Sequence, residues 1–191
     1  MNNVEPLNIR MRFEAKRSWA FFLQKGFFLD GLSGMTVRDF LHEVLGFDEN
    51  KIETEVRTIF INSSPVDDID TTYVKDGDRL ALGGAMPGLV GICMGRDNPY
   101  KGFRSDIVSQ SREVQKSSTP VSLFIKIFST LAVDSGPDIL ARGIGVEAAD
   151  LAEFLEDKDS LFVSEIGDYS DDLKNALSKK SGKVFVTVQF E

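Results

Sequence analysis

The side chains best suited to catalysis in this 191-residue sequence are a single cysteine, Cys93, and a single histidine, His42. A nucleophilic cysteine needs a neighbouring base or positive field, and a transition-metal site needs several such ligands. One cysteine also forms no intramolecular disulfide. We therefore predict no catalytic residue and no metal site. We expect Cys93 to be buried and His42 to lie on a helix surface.

Two runs of carboxylates invite a calcium interpretation, Asp67-Asp68-Ile69-Asp70 and Asp168-Tyr169-Ser170-Asp171-Asp172. Neither has the spacing, the glycine and the distal glutamate of an EF-hand loop. The first run is typical of a turn. The second is typical of a helix amino end, where negative charge meets the helix dipole favourably.

The segment from Gly83 to Gly95 is rich in glycine and apolar residues. Its backbone amides could form an anion nest, although it matches no nucleotide-binding motif and contains no lysine. The favoured interpretation is a close-packed crossover between two domains, with its apolar side chains buried. The third interpretation is an exposed apolar patch for a partner or for self-association. The side chains in question are Met86, Leu89, Val90 and Ile92.

Candidate residues for binding a ligand or a partner come from this segment and its basic neighbour, and no cofactor is predicted. They are Gly83, Gly84, Met86, Gly88, Leu89, Gly91 and Arg96.

Charge limits the classes of partner. The formal net charge is −8, and residues 119–191 carry 13 acidic and 7 basic side chains. An acidic surface repels phosphate backbones, so we expect no nucleic acid and no anionic membrane as partner. The basic residues of the middle segment are interpreted as a solvated connector because acidic residues dilute them. They are Arg96, Lys101, Arg104, Arg112 and Lys116.

Aromatic residues cluster from Trp19 to Phe28. Core packing is the favoured interpretation, and an aromatic ligand-binding face is the alternative.

The elements that would position these residues begin with Leu7–Phe13, which alternates as a half-buried strand. A second strand is expected near Gly26–Asp30, reached through a loop. Thr36 and Asp39 form a capping box that starts a helix. Strands follow at 57–61 and 79–82, with turns at 62–65 and at Asp76-Gly77.

The remaining chain contains a polar linker over residues 96–118 and a second, acidic α+β domain over residues 119–191. Strands are expected at 121–128 and 183–190, with helices at 148–156 and 170–179. Leu23–Gly26 resembles Leu140–Gly143, and Val37–Glu43 resembles Leu151–Asp157. The second domain is therefore either a duplicate of the first or an α+β domain of another topology.

The order strand, strand, helix, strand, strand over residues 7–91 resembles the ubiquitin-like β-grasp sulfur carriers of molybdopterin and thiamin synthesis. The Asp76-Gly77-Asp78 turn before the strand at 79–82 carries most of this resemblance. The resemblance implies an α+β fold with an N-terminal β-grasp domain at residues 1–95. Such carriers end in a free Gly-Gly carboxylate, whereas this chain ends in Gln189-Phe190-Glu191.

The sequence thus favours a non-enzymatic protein-interaction or adaptor module that acts near sulfur transfer or cofactor assembly. The alternative is a sulfur carrier processed within residues 82–91, or an accessory subunit that binds a small anion. A protein partner is expected, and self-association through the Gly-rich segment is an open alternative. The absence of a secretion signal and the single cysteine predict a soluble cytoplasmic protein.

Overall fold

The computed structural model describes residues 7–96, 98–100, 102, 104, 119–163, 173, 175 and 177–191. The described residues contain both strands and helices, which confirms a mixed class of α and β structure. The chain forms two compact units. Unit 1 combines Met1–Phe27 with Val133–Glu191, and unit 2 is Phe28–Ala132. A division into domains at residues 95 and 119 stays a prediction, because compactness does not test independent folding.

The strands are β1 Leu7–Met11, β2 Phe27–Leu32, β3 Thr58–Ile61, β4 Ser64–Pro65, β5 Arg79–Gly83, β6 Pro120–Ile127, β7 Ile144–Glu147 and β8 Lys183–Phe190. The helices are α1 Lys16–Lys25, α2 Val37–Asp39 with a π-helical continuation at Phe40–Val44, α3 Glu49–Thr54, α4 Gly88–Met94, α5 Ser129–Arg142 and α6 Ala148–Leu155. Two 3₁₀ turns lie at Phe13–Ala15 and Asp159–Leu161.

In unit 1 the strands lie in the order β1-β8-β7. β1 runs parallel to β8, with Leu7 opposite Val186, and β7 runs antiparallel to β8. The period of two predicted for β8 is present, because Val184, Val186 and Val188 are buried and Phe185 is exposed. β1 and β8 are thus joined although about 180 residues separate them in the sequence.

The aromatic cluster of unit 1 is core, as the favoured interpretation predicted. Trp19 and Phe22 are buried, and both rings pack against Phe154 at centroid distances of 4.7 and 4.6 Å. The indole Nε1 donates to the sulfur of Met11 at 2.8 Å, so the polar edge of this buried ring has a partner. Phe21 is the exception, since 58% of it is exposed.

In unit 2 the strand order is β2-β6-β5-β3-β4. β5 runs parallel to β6, and β3 runs antiparallel to both β5 and β4. Asn62 and Ser63 form the predicted turn between β3 and β4, with φ angles of 51° and 70°. These left-handed angles are the ones that a two-residue hairpin turn of type I′ requires.

The helix that follows β2 begins as the sequence predicted. The Thr36 side chain accepts a hydrogen bond from the Asp39 amide at 3.1 Å, and the Asp39 carboxylate accepts one from the Thr36 amide at 3.0 Å. This is a complete capping box. His42 is exposed, as expected for a residue of the helix surface. The core of unit 2 contains Val37, Phe40, Leu41, Leu45, Ile52, Ile59, Leu80, Leu82, Leu123 and Ile125.

The Asp76-Gly77-Asp78 turn is joined to β6. Ser122 donates its amide to the Asp76 carboxylate at 2.8 Å, and Gly77 donates its amide to the Ser122 carbonyl at 2.9 Å. Asp78 is buried and accepts from the Asn62 amide group at 2.7 Å and from the Lys75 amide at 2.8 Å. The turn therefore ties the β3–β4 hairpin, β5 and β6 together.

Several elements were not predicted. The region from Lys16 to Lys25 was expected to be a loop and is the helix α1. The helices α3, α4 and α5 and the strands β4 and β7 were also missed. The expected helix at 148–156 is confirmed as α6. The predicted linker at 96–118 and the predicted helix at 170–179 lie mostly outside the described residues.

Candidate functional site

The Gly-rich segment folds as a short helix, α4, that follows β5 directly. Before the helix, the Gly83 carbonyl accepts the Arg57 amide at 3.0 Å, and the Gly84 carbonyl accepts the Thr58 hydroxyl at 3.0 Å. The two glycines predicted to be part of a binding site are therefore held against β3. Pro87 is the N-cap residue and makes no side-chain cap hydrogen bond.

The apolar side chains of this segment face solvent. We name Met86, Leu89, Val90 and Ile92 the apolar ridge, and their exposed fractions are 38, 70, 72 and 47%. The favoured prediction that these side chains are buried in a crossover is wrong. The third interpretation, an exposed apolar patch, describes them. Contiguous exposed apolar side chains mark interaction surfaces, whereas apolar side chains that are exposed singly are common on any protein.

Two predicted glycines shape the start of α4. Gly88 has a φ angle of 80°, a conformation that residues with a Cβ rarely adopt. Gly91 is buried, and a Cβ there would come within 2.5 Å of the Met86 carbonyl oxygen. Any larger residue at Gly91 would push α4 away from the turn that precedes it.

Arg96, the last predicted site residue, does not face solvent. Only 3% of it is exposed, and its Nε donates to the Val56 carbonyl at 2.9 Å. Its Nη2 donates to the Ile52 carbonyl and lies 3.4 Å from the Glu53 carboxylate. Arg96 therefore caps the carboxyl end of α3 and fixes the chain just after α4.

Arg104 has a similar role at the carboxyl end of α4. It is buried, its Nε donates to the Cys93 carbonyl, and its Nη2 donates to the Gly95 carbonyl at 3.1 Å. Asn98 also donates to the Gly95 carbonyl. The last carbonyls of α4 are therefore satisfied by side chains rather than by further helix.

The prediction of a solvated basic connector is wrong for Arg96 and Arg104, and Lys101, Arg112 and Lys116 lie outside the described residues. The guanidinium groups of both arginines donate hydrogen bonds to backbone carbonyls and carboxylates instead of facing solvent. Asn98 and Arg104 were missed as supports of α4. The short spacing of Asn98 after Gly95 was the one local signal, because asparagine commonly caps such turns.

A chain of charges links α2, α3 and the end of α4. Arg38 contacts Asp70 at 2.5 Å, Glu49 at 2.8 Å and Glu53 at 2.8 Å. Glu53 in turn faces Arg96 at 3.4 Å. The hydrogen bond from Arg38 lowers the pKa of Glu53 against the opposing effect of burial. The hydrogen bond to Asp70 raises the pKa of Arg38.

The first acidic run is a turn, as predicted. The Asp68 carboxylate accepts the amides of Asp70 and Thr71 at 3.0 and 3.1 Å. The Thr71 side chain and these amides hold the pKa of Asp68 below its ordinary value, against the raising effect of burial. The second acidic run lies outside the described residues.

Cys93 is half-buried, so the prediction that it is buried is wrong. Among the described residues, no group of three histidine, cysteine, aspartate or glutamate side chains is placed to hold a metal ion. In the same part of the chain, every helix is too short or too polar to span a bilayer.

No protein-family model, curated protein or solved structure matches this chain.

Proposed function

We propose that this chain is a non-enzymatic protein-interaction module that binds a partner protein through the apolar ridge of α4. The observation that carries the proposal is the exposure of Leu89 and Val90, at 70 and 72%. Burying such a side chain in an interface is worth roughly 1.5–3 kcal/mol. The ridge is therefore costly to leave in water and favourable to cover.

The support beneath the ridge also favours a binding role. A seven-residue helix has too few hydrogen bonds to persist by itself in water. Asn98 and Arg104 nevertheless donate to the carbonyl of Gly95 at its carboxyl end, and Arg96 fixes the next residue of the chain to the Val56 carbonyl. A rigid helix that presents apolar side chains loses little conformational entropy on binding, which suits insertion into an apolar groove of a partner.

Capture from lysate of the host cells tests this proposal. The immobilised full chain is compared with Leu89→Asp/Val90→Asp and with the control Phe21→Asp/Val133→Asp, which changes two exposed apolar residues outside the ridge. We expect a protein that the wild type and the control retain and that the ridge variant loses by about a hundredfold. Equal capture by all three forms would contradict the proposal.

Self-association is a distinct outcome of the same variants. If the partner is a second copy, sedimentation velocity shows a mass that rises with concentration for the wild type. The Leu89→Asp/Val90→Asp form then stays monomeric.

The fold proposed for unit 2 is a β-grasp in which β6 serves as the opening strand. In such a sheet the opening strand pairs in parallel with the last strand of the fold, and here β6 lies in parallel register beside β5. α2 follows β2, as the helix of a β-grasp follows its second strand. The strand order β2-β6-β5-β3-β4 supports this proposal.

Expression of fragments tests the proposed fold. A fragment of residues 28–132 includes β6, whereas a fragment of residues 1–95 ends before it. We expect the first to give the dispersed amide spectrum of a folded protein and the second to lack it. The opposite result would support the N-terminal domain at residues 1–95 instead.

The order of elements also supports a proposed duplication. β1-α1-β2-α2 in the first half is matched by β6-α5-β7-α6 in the second. Gly26 and Gly143, which end α1 and α5, have φ angles of 123° and 104°. Leu23–Gly26 and Leu140–Gly143 thus lie at the ends of α1 and α5. Val37–Glu43 and Leu151–Asp157 lie largely in the helices that follow β2 and β7.

The alternative to an interaction module is a processed sulfur carrier. It requires cleavage within residues 82–91, where the chain enters α4. The contacts of Gly83 and Gly84 with β3 favour the interaction module, because a carrier tail must be free to enter an enzyme. Intact mass of the protein purified from its host decides between them. A single full-length species would contradict the carrier, and a species ending at a glycine would contradict the module.

A further inference from the structure

A second surface of unit 2, distinct from the apolar ridge, lies on the open face of its sheet. It is a shallow depression of about 370 Å³. We name it the sheet-face depression. Its lining includes Phe60, Ser63, Arg79, Ala81, Phe124 and Lys126.

The strand register explains how the depression arises. Along β5 and β6, Leu80, Leu82, Ile125 and Ile127 are buried, whereas the intervening residues face outward. Ala81 lies opposite Phe60 of β3 on one side and opposite Lys126 of β6 on the other. Because the Ala81 side chain is small, it leaves the sheet-face depression between its larger neighbours.

Two cationic side chains and an aromatic ring form one side of the sheet-face depression. The guanidinium carbon of Arg79 lies 5.1 Å from the centroid of the Phe124 ring, and the Lys126 ammonium lies 5.9 Å from it. The ring of Phe28 packs edge-on against Phe124 at 5.1 Å and holds its orientation. Cation–π contacts of this kind position both charges at the rim.

None of the lining residues is acidic. The depression is therefore a local positive and aromatic surface on a chain whose net charge is −8. An acidic ligand finds complementary charge here, and an apolar side chain between two rings finds packing. A long nucleic acid would in addition meet the repulsion of the whole negative molecule.

We propose that the sheet-face depression binds an acidic peptide segment of a partner protein. An aromatic or leucine side chain of the segment lies over Ala81 between Phe60 and Phe124. Aspartate or glutamate side chains on either side of it pair with Arg79 and Lys126. The binding does not depend on the apolar ridge, so the two surfaces are tested by different variants.

Selection from a random twelve-residue peptide library against the full chain tests this inference. We expect enriched peptides to combine an aromatic residue or leucine with flanking acidic residues. Peptides without acidic residues, or no enriched peptide, would overturn the proposal.

Variants then locate the binding of an enriched, fluorescently labelled peptide. Arg79→Glu/Lys126→Glu should weaken binding by about tenfold or more, because both charges are reversed. Ala81→Leu should weaken it by a similar factor without any charge change, because it fills the hollow. The matched control is Lys25→Glu/Lys180→Glu, two exposed lysines of unit 1, and it should leave affinity unchanged. Equal affinity for all forms would place the peptide elsewhere and overturn the proposal.

A second experiment measures the binding of a labelled oligothymidylate of fifteen nucleotides to the same variants. No binding, or binding that Ala81→Leu and Arg79→Glu/Lys126→Glu leave unchanged, agrees with a peptide ligand. Tighter binding of the oligonucleotide than of the peptide, lost in both variants, would overturn the proposal in favour of single-stranded nucleic acid.

Discussion

Both terminal nitrogens of Arg104 donate hydrogen bonds to the carboxylate of Asp67, at 2.5 Å for Nη2–Oδ1 and 3.2 Å for Nη1–Oδ2. The Arg104 side chain is 2% exposed and that of Asp67 is 21% exposed. The same guanidinium binds the last carbonyls of α4. This pair thus joins the turn at Asp67 to the helix that carries the apolar ridge.

Asp67→Asn should lower the free energy of unfolding by about 3 kcal/mol, because it leaves a buried guanidinium without its counter-charge. Urea unfolding measures this loss. Asp30→Asn, at an exposed position, is the control and should change stability by less than about 0.5 kcal/mol. An unchanged urea midpoint for Asp67→Asn would contradict the role given to this pair.

The hairpin turn at Asn62-Ser63 offers a stabilising change. Ser63 has a φ angle of 70°, which glycine adopts more readily than serine. Ser63→Gly should therefore stabilise the protein by about 0.5–1 kcal/mol. The same substitution at Ser18, within α1, should instead destabilise it by up to about 1 kcal/mol. Thermal unfolding that shifts in the same direction for both variants would contradict this account.

Local patterns predicted many of the elements. The alternation of Val184, Val186 and Val188 predicts β8, and Thr36 with Asp39 predicts the start of α2. These signals are local because a strand or a cap is decided by neighbouring residues. The turn at Asn62-Ser63 belongs to the same class.

The missed elements depend on contacts that no local pattern contains. Pro137 lies inside α5 although proline normally ends a helix. A Cβ at the preceding Gly136 would come within 3.1 Å of Leu23, so this glycine allows a close approach to a residue more than 100 positions earlier.

The apolar ridge was predicted to be buried because apolar residues usually are buried. Arg96 and Arg104 were predicted to lie on the surface because charged residues are rarely buried.

Acid should weaken unit 2 through Glu53. The Arg38 hydrogen bond holds the pKa of Glu53 below its ordinary value of 4.5. A carboxylate with a lowered folded-state pKa contributes its full stabilisation above the unfolded-state pKa, and this contribution is lost as pH falls through the folded-state pKa. Arg38→Gln removes the largest cause of the shift. The difference in unfolding free energy between wild type and Arg38→Gln should therefore shrink as pH is lowered from 7 towards 3.

Arg57→Gln is the matched control for this experiment. Arg57 donates to the carbonyls of Glu53 and Arg96, which do not titrate. Its effect on stability should thus stay nearly constant over the same pH range. Urea unfolding at a series of pH values measures both differences. An Arg38→Gln effect that is independent of pH would contradict the importance of the Arg38–Glu53 pair.

Gly143, which ends α5, should tolerate a side chain less well than Gly182. Its φ angle is 104°, and a Cβ would lie 2.5 Å from the Phe185 ring of β8. Gly182 has a similar φ angle of 87°, but a Cβ there would meet nothing within 4 Å. Gly182→Ala should therefore cost only the backbone strain, about 1 kcal/mol.

Gly143→Ala adds steric overlap to the same strain and should cost about 1–2 kcal/mol more than Gly182→Ala, because the exposed Phe185 ring must turn away from the new Cβ. The difference between the two variants in urea unfolding isolates the overlap. Gly143→Ala/Phe185→Ala should then recover part of the loss, since the shorter side chain leaves room for the new Cβ. Equal losses for Gly143→Ala and Gly182→Ala would show that the Phe185 ring yields freely and that backbone strain alone selects glycine at the end of α5.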